Sequence, residues 1–405
     1  MAQNKFLSAQ EAADALNISV STLYAYVSRG LVRSEPTEGK SRARRYRAAD
    51  IDALKKKQSY RHNPGRVAPD TLRHGIPVLD SSITLIQNGQ LLYRGHDALE
   101  LAQTKSFEEV ASLLWTGEFE SSHLFDQKND LKFALPRPFA EMAGKLSPIE
   151  QFQTLLPLAA AHDLAGYDPS PAGIQRTGGR IIRLLTQIVT GEGSFDSITE
   201  ALQKAWLPDH PELRPALEAT LILCADHELN VSAFTARCVA SAGTTLYQVV
   251  QGGLAAIQGF RHGGQSERVG VFFDEVAGNI PQKIGAYIKR GEHLPGFDHP
   301  LYPDGDSRGR LLFELAEKYQ LDVGPVNDAR LIRETVSSQL ERIPNIDFAL
   351  VTLSRALKLP ADAPITLFAL GRTAGWIAHA LEQYESKQLI RPRARYVGVG
   401  SIGAD

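Results

Sequence analysis

Seven residues in the later part of this 405-residue chain are of the types that acid–base chemistry on a small polyanion needs. DHELNVSAF supplies His227 with Asn230 close behind, and FRHGGQSERV sets His262 before two glycines. A helix starting there would hold an imidazole neutral and let a ligand approach the backbone. LPGFDHPLYPDGDSRGR, a loop rich in Gly, Pro and Asp, carries His299 and Arg308; such loops lie at the surface, where a rigid scaffold offers them to a ligand. IPNIDFALVTL places Asp347 in apolar company that would strip water from its carboxylate and raise its pKa. ALGRTAGWIAHALEQ and LIRPRARYVG add Arg372 and Arg391.

The elements that must hold these residues are mainly α. FEEVASLLWTGEF, ASAGTTLYQVVQGGLAAIQGF and TAGWIAHALEQYES repeat apolar residues at helical spacing, and no run of alternating strands is expected. Gly252-Gly253 inside a helical pattern predicts close helix packing. There is no GxGxxG after a strand and no GxxxxGK[ST], which argues against dinucleotide and P-loop enzymes. The length predicts two or three compact units, and 43% hydrophobic with 22% charged residues is a globular composition. MAQNKFLSAQEAADAL has no apolar signal-like core, and no stretch reaches the roughly 20 apolar residues of a membrane span, so a soluble cytoplasmic protein is expected. Cys224 and Cys238 lack metal-ligand spacing, and neither a zinc site nor a disulfide is expected.

Charge divides the chain. Residues 1–66 hold 13 Lys/Arg against 6 Asp/Glu, while the remainder holds 31 against 40. SAQEAADALNISVSTLYAYVSRG reads as two short helices around a turn at Asn17-Ile18-Ser19, with Ser8 and Glu11 at capping-box spacing, Ser21 capping the second helix and Gly30 ending it. The basic run from Lys40 to Arg47 would form a wing or hairpin, and Ala49-Asp50 would open a third helix. This stretch resembles the winged helix-turn-helix domains of excisionases and mercury-resistance-type regulators, with Tyr46 and Asp50-Ile51 where such wings close. On DNA, Ser21, Thr22, Tyr24 and Arg29 would lie near bases or phosphates, and Arg42, Arg44, Arg45 and Arg47 would meet the backbone.

From residue 75 onward the chain resembles the citrate synthase family. The resemblance rests on His-Glu-x-Asn at 227–230, His-Gly-Gly at 262–264, Gly-Phe-x-His-Pro at 296–300, Asn-x-Asp-Phe at 345–348, Gly-Trp-Ile-Ala-His at 375–379 and Arg-Pro at 391–392, in one order. It implies a winged helix-turn-helix domain at 1–60, a linker at 61–70, a large helical domain at 71–264 and 358–405, and a small helical domain at 265–357. It further implies a homodimer with shared active sites.

The implied reaction condenses acetyl-CoA with oxaloacetate and hydrolyses citryl-CoA. By resemblance Asp347 is the base, His262 the group at the thioester oxygen, and His299 the group that polarises the ketone. His227, Arg308, Arg372 and a neighbouring subunit's Arg391 would hold oxaloacetate. The backbone of Leu294, Pro295, Gly296 and Phe297 would meet CoA, which enters as substrate; no metal or other cofactor is implied. The chain departs from the family at Asp298 for Gly, Gln265-Ser266 for Ala-Asn, and Ser307 for Pro. Asp298 either points inward, raising the neighbouring imidazole's pKa, or faces solvent. Three uses stay open: citrate synthase, 2-methylcitrate synthase with propionyl-CoA, and a DNA-binding regulator whose synthase-like body senses a ligand.

Overall fold

The computed structural model describes residues 6–16, 18–28, 32–36, 44–48, 50–51, 79–126, 131, 141–394, 396 and 398–399. The chain forms two compact units, Met1–Asp80 with Arg393–Asp405, and Ser81–Pro392. Arg29, Gly30, Arg42 and the expected linker lie outside the described residues. Among the described residues no helix is long and apolar enough to cross a membrane, and no group of three His, Cys, Asp or Glu could hold a metal ion.

In the first unit β1 (Phe6–Leu7), α1 (Ala9–Leu16), α2 (Val20–Ser28), β2 (Ser34–Pro36) and β3 (Arg44–Arg47) enclose a small core of Ala12, Leu16, Leu23, Val32, Tyr46 and Ile51. Its three strands pair antiparallel in the order β1-β3-β2. Ser8 and Glu11 form the expected reciprocal cap, Ser8 N donating to Glu11 Oε2 at 2.8 Å and Glu11 N to Ser8 Oγ at 3.3 Å. The cap of α2 is Ser19 rather than Ser21: Ser19 Oγ accepts the Thr22 N–H at 3.2 Å, because the helix already begins at Val20. The third helix is under way at residue 48, one residue before the expected Ala49-Asp50 start.

The second unit opens with a feature the sequence reading missed. β4 (Thr84–Gln87), β5 (Gln90–Tyr93) and β6 (His96–Asp97) form an antiparallel meander. Asn88 and Gly89 join β4 to β5 with φ of 54° and 76°, the left-handed pair that a two-residue hairpin favours. Helices follow: α3 (Ala98–Thr104), α4 (Phe107–Thr116), α5 (Pro148–His162), α6 (Pro171–Thr190), α7 (Ile198–Trp206), α8 (Arg214–Cys224), α9 (Val231–Ser241) and α10 (Leu246–Ile257). Then come α11 (Gln265–Val276), α12 (Ile280–Lys289), α13 (Ser307–Tyr319), α14 (Val323–Leu340), α15 (Ile346–Ala356) and α16 (Ala363–Ser386). One continuous hydrophobic core runs through the unit.

Glycines set the closest helix approaches. A Cβ on Gly253 would lie 2.5 Å from the Trp376 ring, so α10 and α16 meet where the Gly-Gly pair was expected to allow it. Gly371 and Gly375, one turn apart on α16, face backbone oxygens of Leu221 and Ala225 at the end of α8, and Gly375 N donates to Ala225 O at 3.0 Å. That approach leaves Arg372 buried against the C-terminus of α8, where Nε donates to Cys224 O at 2.7 Å. Unpaired helix-end carbonyls attract such a cation.

Candidate active site

Three helix starts at the motif positions are each capped by a polar side chain. Asn230 caps α9, its Oδ1 accepting from Ser232 N and Ala233 N, and Asn345 caps α15, accepting from Asp347 N at 3.0 Å and Phe348 N. Asp306 caps α13, its Oδ1 accepting from Arg308 N at 3.1 Å. Short polar residues satisfy the exposed first-turn N–H groups of a helix, so these motif positions are fixed by folding before any ligand binds.

His262 precedes α11. Its Nε2 lies 2.7 Å from Ser232 Oγ, which receives the Trp376 indole N–H at 3.1 Å and donates to Asn230 Oδ1 at 2.8 Å. Burial, with the Arg372 charge in support, pushes the imidazole down to about 4, so it is neutral at physiological pH. Ser232 has one proton to give, and it goes to the Asn230 amide oxygen, which can only accept.

Asp347, in the first turn of α15, accepts from Ser266 Oγ at 2.6 Å through Oδ1. Burial pushes its carboxyl up to about 6, although the Ser266 hydrogen bond and the Arg308 and Arg372 charges oppose that rise. The result is a carboxylate more basic than usual yet still ionised at neutral pH.

His227, His299 and Tyr302 form an aromatic cluster, with the two imidazoles edge-to-face at 5.1 Å and His227 Nε2 3.0 Å from Tyr302 Oη. Leu301 N donates to His299 Nδ1 at 3.2 Å, so a neutral His299 carries its proton on Nε2. Burial and then the charges of Arg308 and Arg372 hold the His227 pKa well below its usual value. A cavity of about 170 Å³ opens beside His299, with Asp298, Tyr302, Asp306 and Asn345 in its wall.

The two buried arginines differ. Arg308 forms a two-bonded pair with Asp306, Nε to Oδ1 at 2.9 Å and Nη2 to Oδ2 at 2.7 Å, and its guanidinium lies over the Tyr302 ring. Asp306 Oδ2 also accepts from Ile346 N, tying α13 to the helix that carries Asp347. Arg372 is 1% exposed, and among the described residues its Nη2 has no hydrogen-bond partner. Burial pushes its pKa down, against the opposing pull of Asp226.

The structure therefore brings His227, His262, His299, Arg308, Asp347 and Arg372 into one network. Arg391 is not part of it: the residue is exposed after α16 and, among the described residues, makes no hydrogen bond or ion pair to the cluster. Leu294, Pro295, Gly296 and Phe297 are all buried. Phe297 packs on Phe348 at 5.3 Å, and Gly296, at φ 84°, accepts from Asn345 N. Asp298 has φ 59° and points away from His299: its Oδ1 accepts from Ile343 N at 3.2 Å and Oδ2 pairs with Arg342 at 3.4 Å. Of the two orientations open for Asp298, the outward one is found. Ser307 donates to Gly89 O at 3.2 Å.

Tyr302, Ser232, Trp376 and Asp306 belong to the site and were not assigned a role from sequence. Ser232 stands two residues after the capping Asn230, a spacing that could have marked it. Tyr302 carried no comparable signal.

In the first unit Tyr24 is 54% exposed on α2, and Ser21 and Thr22 both hydrogen bond to Ser19 Oγ. Arg45 and Arg47 pair with Glu35 at 3.3 and 3.1 Å, and Arg44 donates to Ser34. Arg44, Arg45 and Arg47 thus have partners within the sheet while remaining partly exposed.

Residues 72–393 match the profile of the citrate synthase C-terminal domain. The chain is a member of the citrate synthase family. Residues 6–59 match a helix-turn-helix domain profile. Citrate synthase 2 of Bacillus subtilis is 30% identical over 352 residues, covering 80% of this chain and 94% of that protein. 2-Methylcitrate synthase 2 of Corynebacterium glutamicum is 28% identical over 346 residues, covering 77% and 90%. The crystal structure of citrate synthase from Thermotoga maritima superposes with a TM-score of 0.68 at 25% identity, covering 81% of this chain and 96% of that one. The mainly helical fold expected from sequence is therefore the family fold, and the chain is a citrate synthase-type enzyme preceded by a helix-turn-helix domain.

Proposed function

We propose that this enzyme condenses acetyl-CoA with oxaloacetate and hydrolyses citryl-CoA to citrate and CoA. The observation that carries the reading is a basic buried carboxylate, Asp347, in one network with a neutral imidazole and with Arg372, whose Nη2 lacks a partner. A thioester α-proton is far less acidic than any carboxylic acid, so its removal needs an electrophile at the carbonyl oxygen. Asp347 takes the proton while the His262 imidazole hydrogen bonds the developing enolate oxygen. His299 Nε2–H polarises the ketone and protonates the new alkoxide. Arg372 and Arg308 hold the carboxylates, alongside His227. Water then cleaves the thioester, releasing CoA.

Closure of a small domain over 265–357 would exclude water until the carbon–carbon bond forms. In a homodimer the partner subunit's Arg391 would complete the oxaloacetate site, which fits the exposure of Arg391 in the single chain. CoA is a substrate in this reading, and the reaction needs no metal.

The acyl donor could equally be propionyl-CoA, giving 2-methylcitrate; the Corynebacterium relative supports that alternative. One methylene separates the donors by only about 1–3 kcal/mol in a pocket. A second role, DNA contact by the N-terminal domain, is favoured by the helix-turn-helix match and by exposed Tyr24 on α2. The deciding experiment measures CoA release from acetyl-CoA and propionyl-CoA with and without oxaloacetate, using Asp347→Ala as control. Oxaloacetate-dependent release that the variant loses supports the synthase and ranks the donors; ligand binding without release transfers the reading to a ligand-sensing regulator. A gel-shift assay at low salt tests the DNA role, since phosphate contacts are strongest there.

A further inference from the structure

Ser266 is 2% exposed in the first turn of α11, and its hydroxyl lies 2.6 Å from Asp347 Oδ1 across the packed faces of α11 and α15. A hydroxyl bonded to a carboxylate at that distance is charge-assisted and stronger than a neutral hydrogen bond. Among the described residues no hydrogen bond reaches Asp347 Oδ2, so the two oxygens are not equivalent.

We propose that Ser266 is a positioning residue for the base: its hydroxyl fixes Asp347 Oδ1 and leaves Oδ2 to take the α-proton of the thioester. The inference rests on the synthase reading of Asp347. In the step itself the substrate C–H bond breaks, the proton goes to Oδ2, and the electron pair moves to the enolate. The Ser266 proton stays on its own oxygen. Because the hydroxyl donates to the ionised form, it also limits how far burial raises the basicity of Asp347. The other groups acting on that carboxylate are Arg308 and Asp306 at the start of α13 and Arg372 of α16, with the Cys224 thiol of α8 in its field.

The test compares full-length wild type, Ser266→Ala and Ser266→Thr by CoA release across pH. Loss of the hydroxyl should move the acidic limb of kcat/KM upward by about one pH unit and lower kcat roughly tenfold. The KM for oxaloacetate should stay within about twofold, since the arginines that hold it are untouched. Ser266→Thr, which keeps the hydroxyl, should keep the limb where wild type has it. An unmoved limb in Ser266→Ala, or equal shifts in Ala and Thr, overturns the proposal. Absence of turnover in wild type would instead defeat the synthase reading. The hydrogen bond is then judged by NMR titration of the Asp347 carboxyl carbon, assigned by its loss in Asp347→Asn. A midpoint higher in Ser266→Ala supports the contact, and an unchanged one overturns it.

Discussion

The start of α13 and the middle of α16 each bury a guanidinium group that the proposed reaction assigns to the same dicarboxylate, and they satisfy it in opposite ways. Arg308 is 2% exposed and neutralised by Asp306, whose burial alone would raise its carboxyl but whose pairing with Arg308 holds it below the usual range. Arg372 leans on a helix-end carbonyl and keeps one nitrogen without a partner. A paired charge gives a rigid wall at little electrostatic gain to a ligand; an incompletely satisfied one stores attraction that a ligand releases. On this view Arg308 serves first as architecture and Arg372 first as the anion's anchor.

That contrast can be broken in several ways. The largest effect belongs to the proposed base: Asp347→Ala should lower turnover by roughly 10²–10⁴-fold while calorimetry shows oxaloacetate still binding. Weakened oxaloacetate binding would mean that Asp347 shares in the anchoring. Arg308→Met strands the Asp306 carboxylate and should cost about 3–5 kcal/mol in urea unfolding, with part recovered in Arg308→Met/Asp306→Asn. Arg372→Met should weaken oxaloacetate roughly 100-fold without lowering the stability of the unliganded protein. Equal stability losses for the two arginines would erase the distinction.

The smallest effect is a pH dependence. Folded Asp347 keeps its proton up to about pH 6, whereas the unfolded chain releases it near the ordinary carboxylate value. Between the two the folded state binds more protons, so stability falls as pH rises through that window. Asp347→Asn should remove the loss and gain roughly 1–3 kcal/mol above pH 6, none below pH 4. A thermal shift that is flat with pH would count against the raised pKa.

The types of His262, His299, Asp347 and the arginines were legible because acid–base groups stood in helix-start and glycine contexts that local chemistry explains. Their partners were not. Ser232 meets His262 from 30 residues away and Ser266 meets Asp347 from 81, separations that no local pattern encodes. Tyr302 sits three residues from His299, yet its ring matters only because His227 arrives from a different helix junction. The hairpin was readable and overlooked: Asn88-Gly89 is a strong turn signal, but the region was read as mainly helical with no run of alternating strands. Choosing Ser21 over Ser19 as a cap was a two-residue boundary error among three clustered hydroxyl residues. Domain closure and Arg391's role depend on motions and a second chain, neither of which one sequence specifies.

Gly371 and Gly375 carry no group that could touch a substrate, yet each stands against a backbone oxygen of the neighbouring helix. Adding one methyl at either position would drive α16 off α8 and carry Arg372 with it. A survey of random variants would therefore score two of the plainest residues in the chain as intolerant as the acid–base trio. Mutational sensitivity in this protein reports the spacing of helices as faithfully as it reports reactivity.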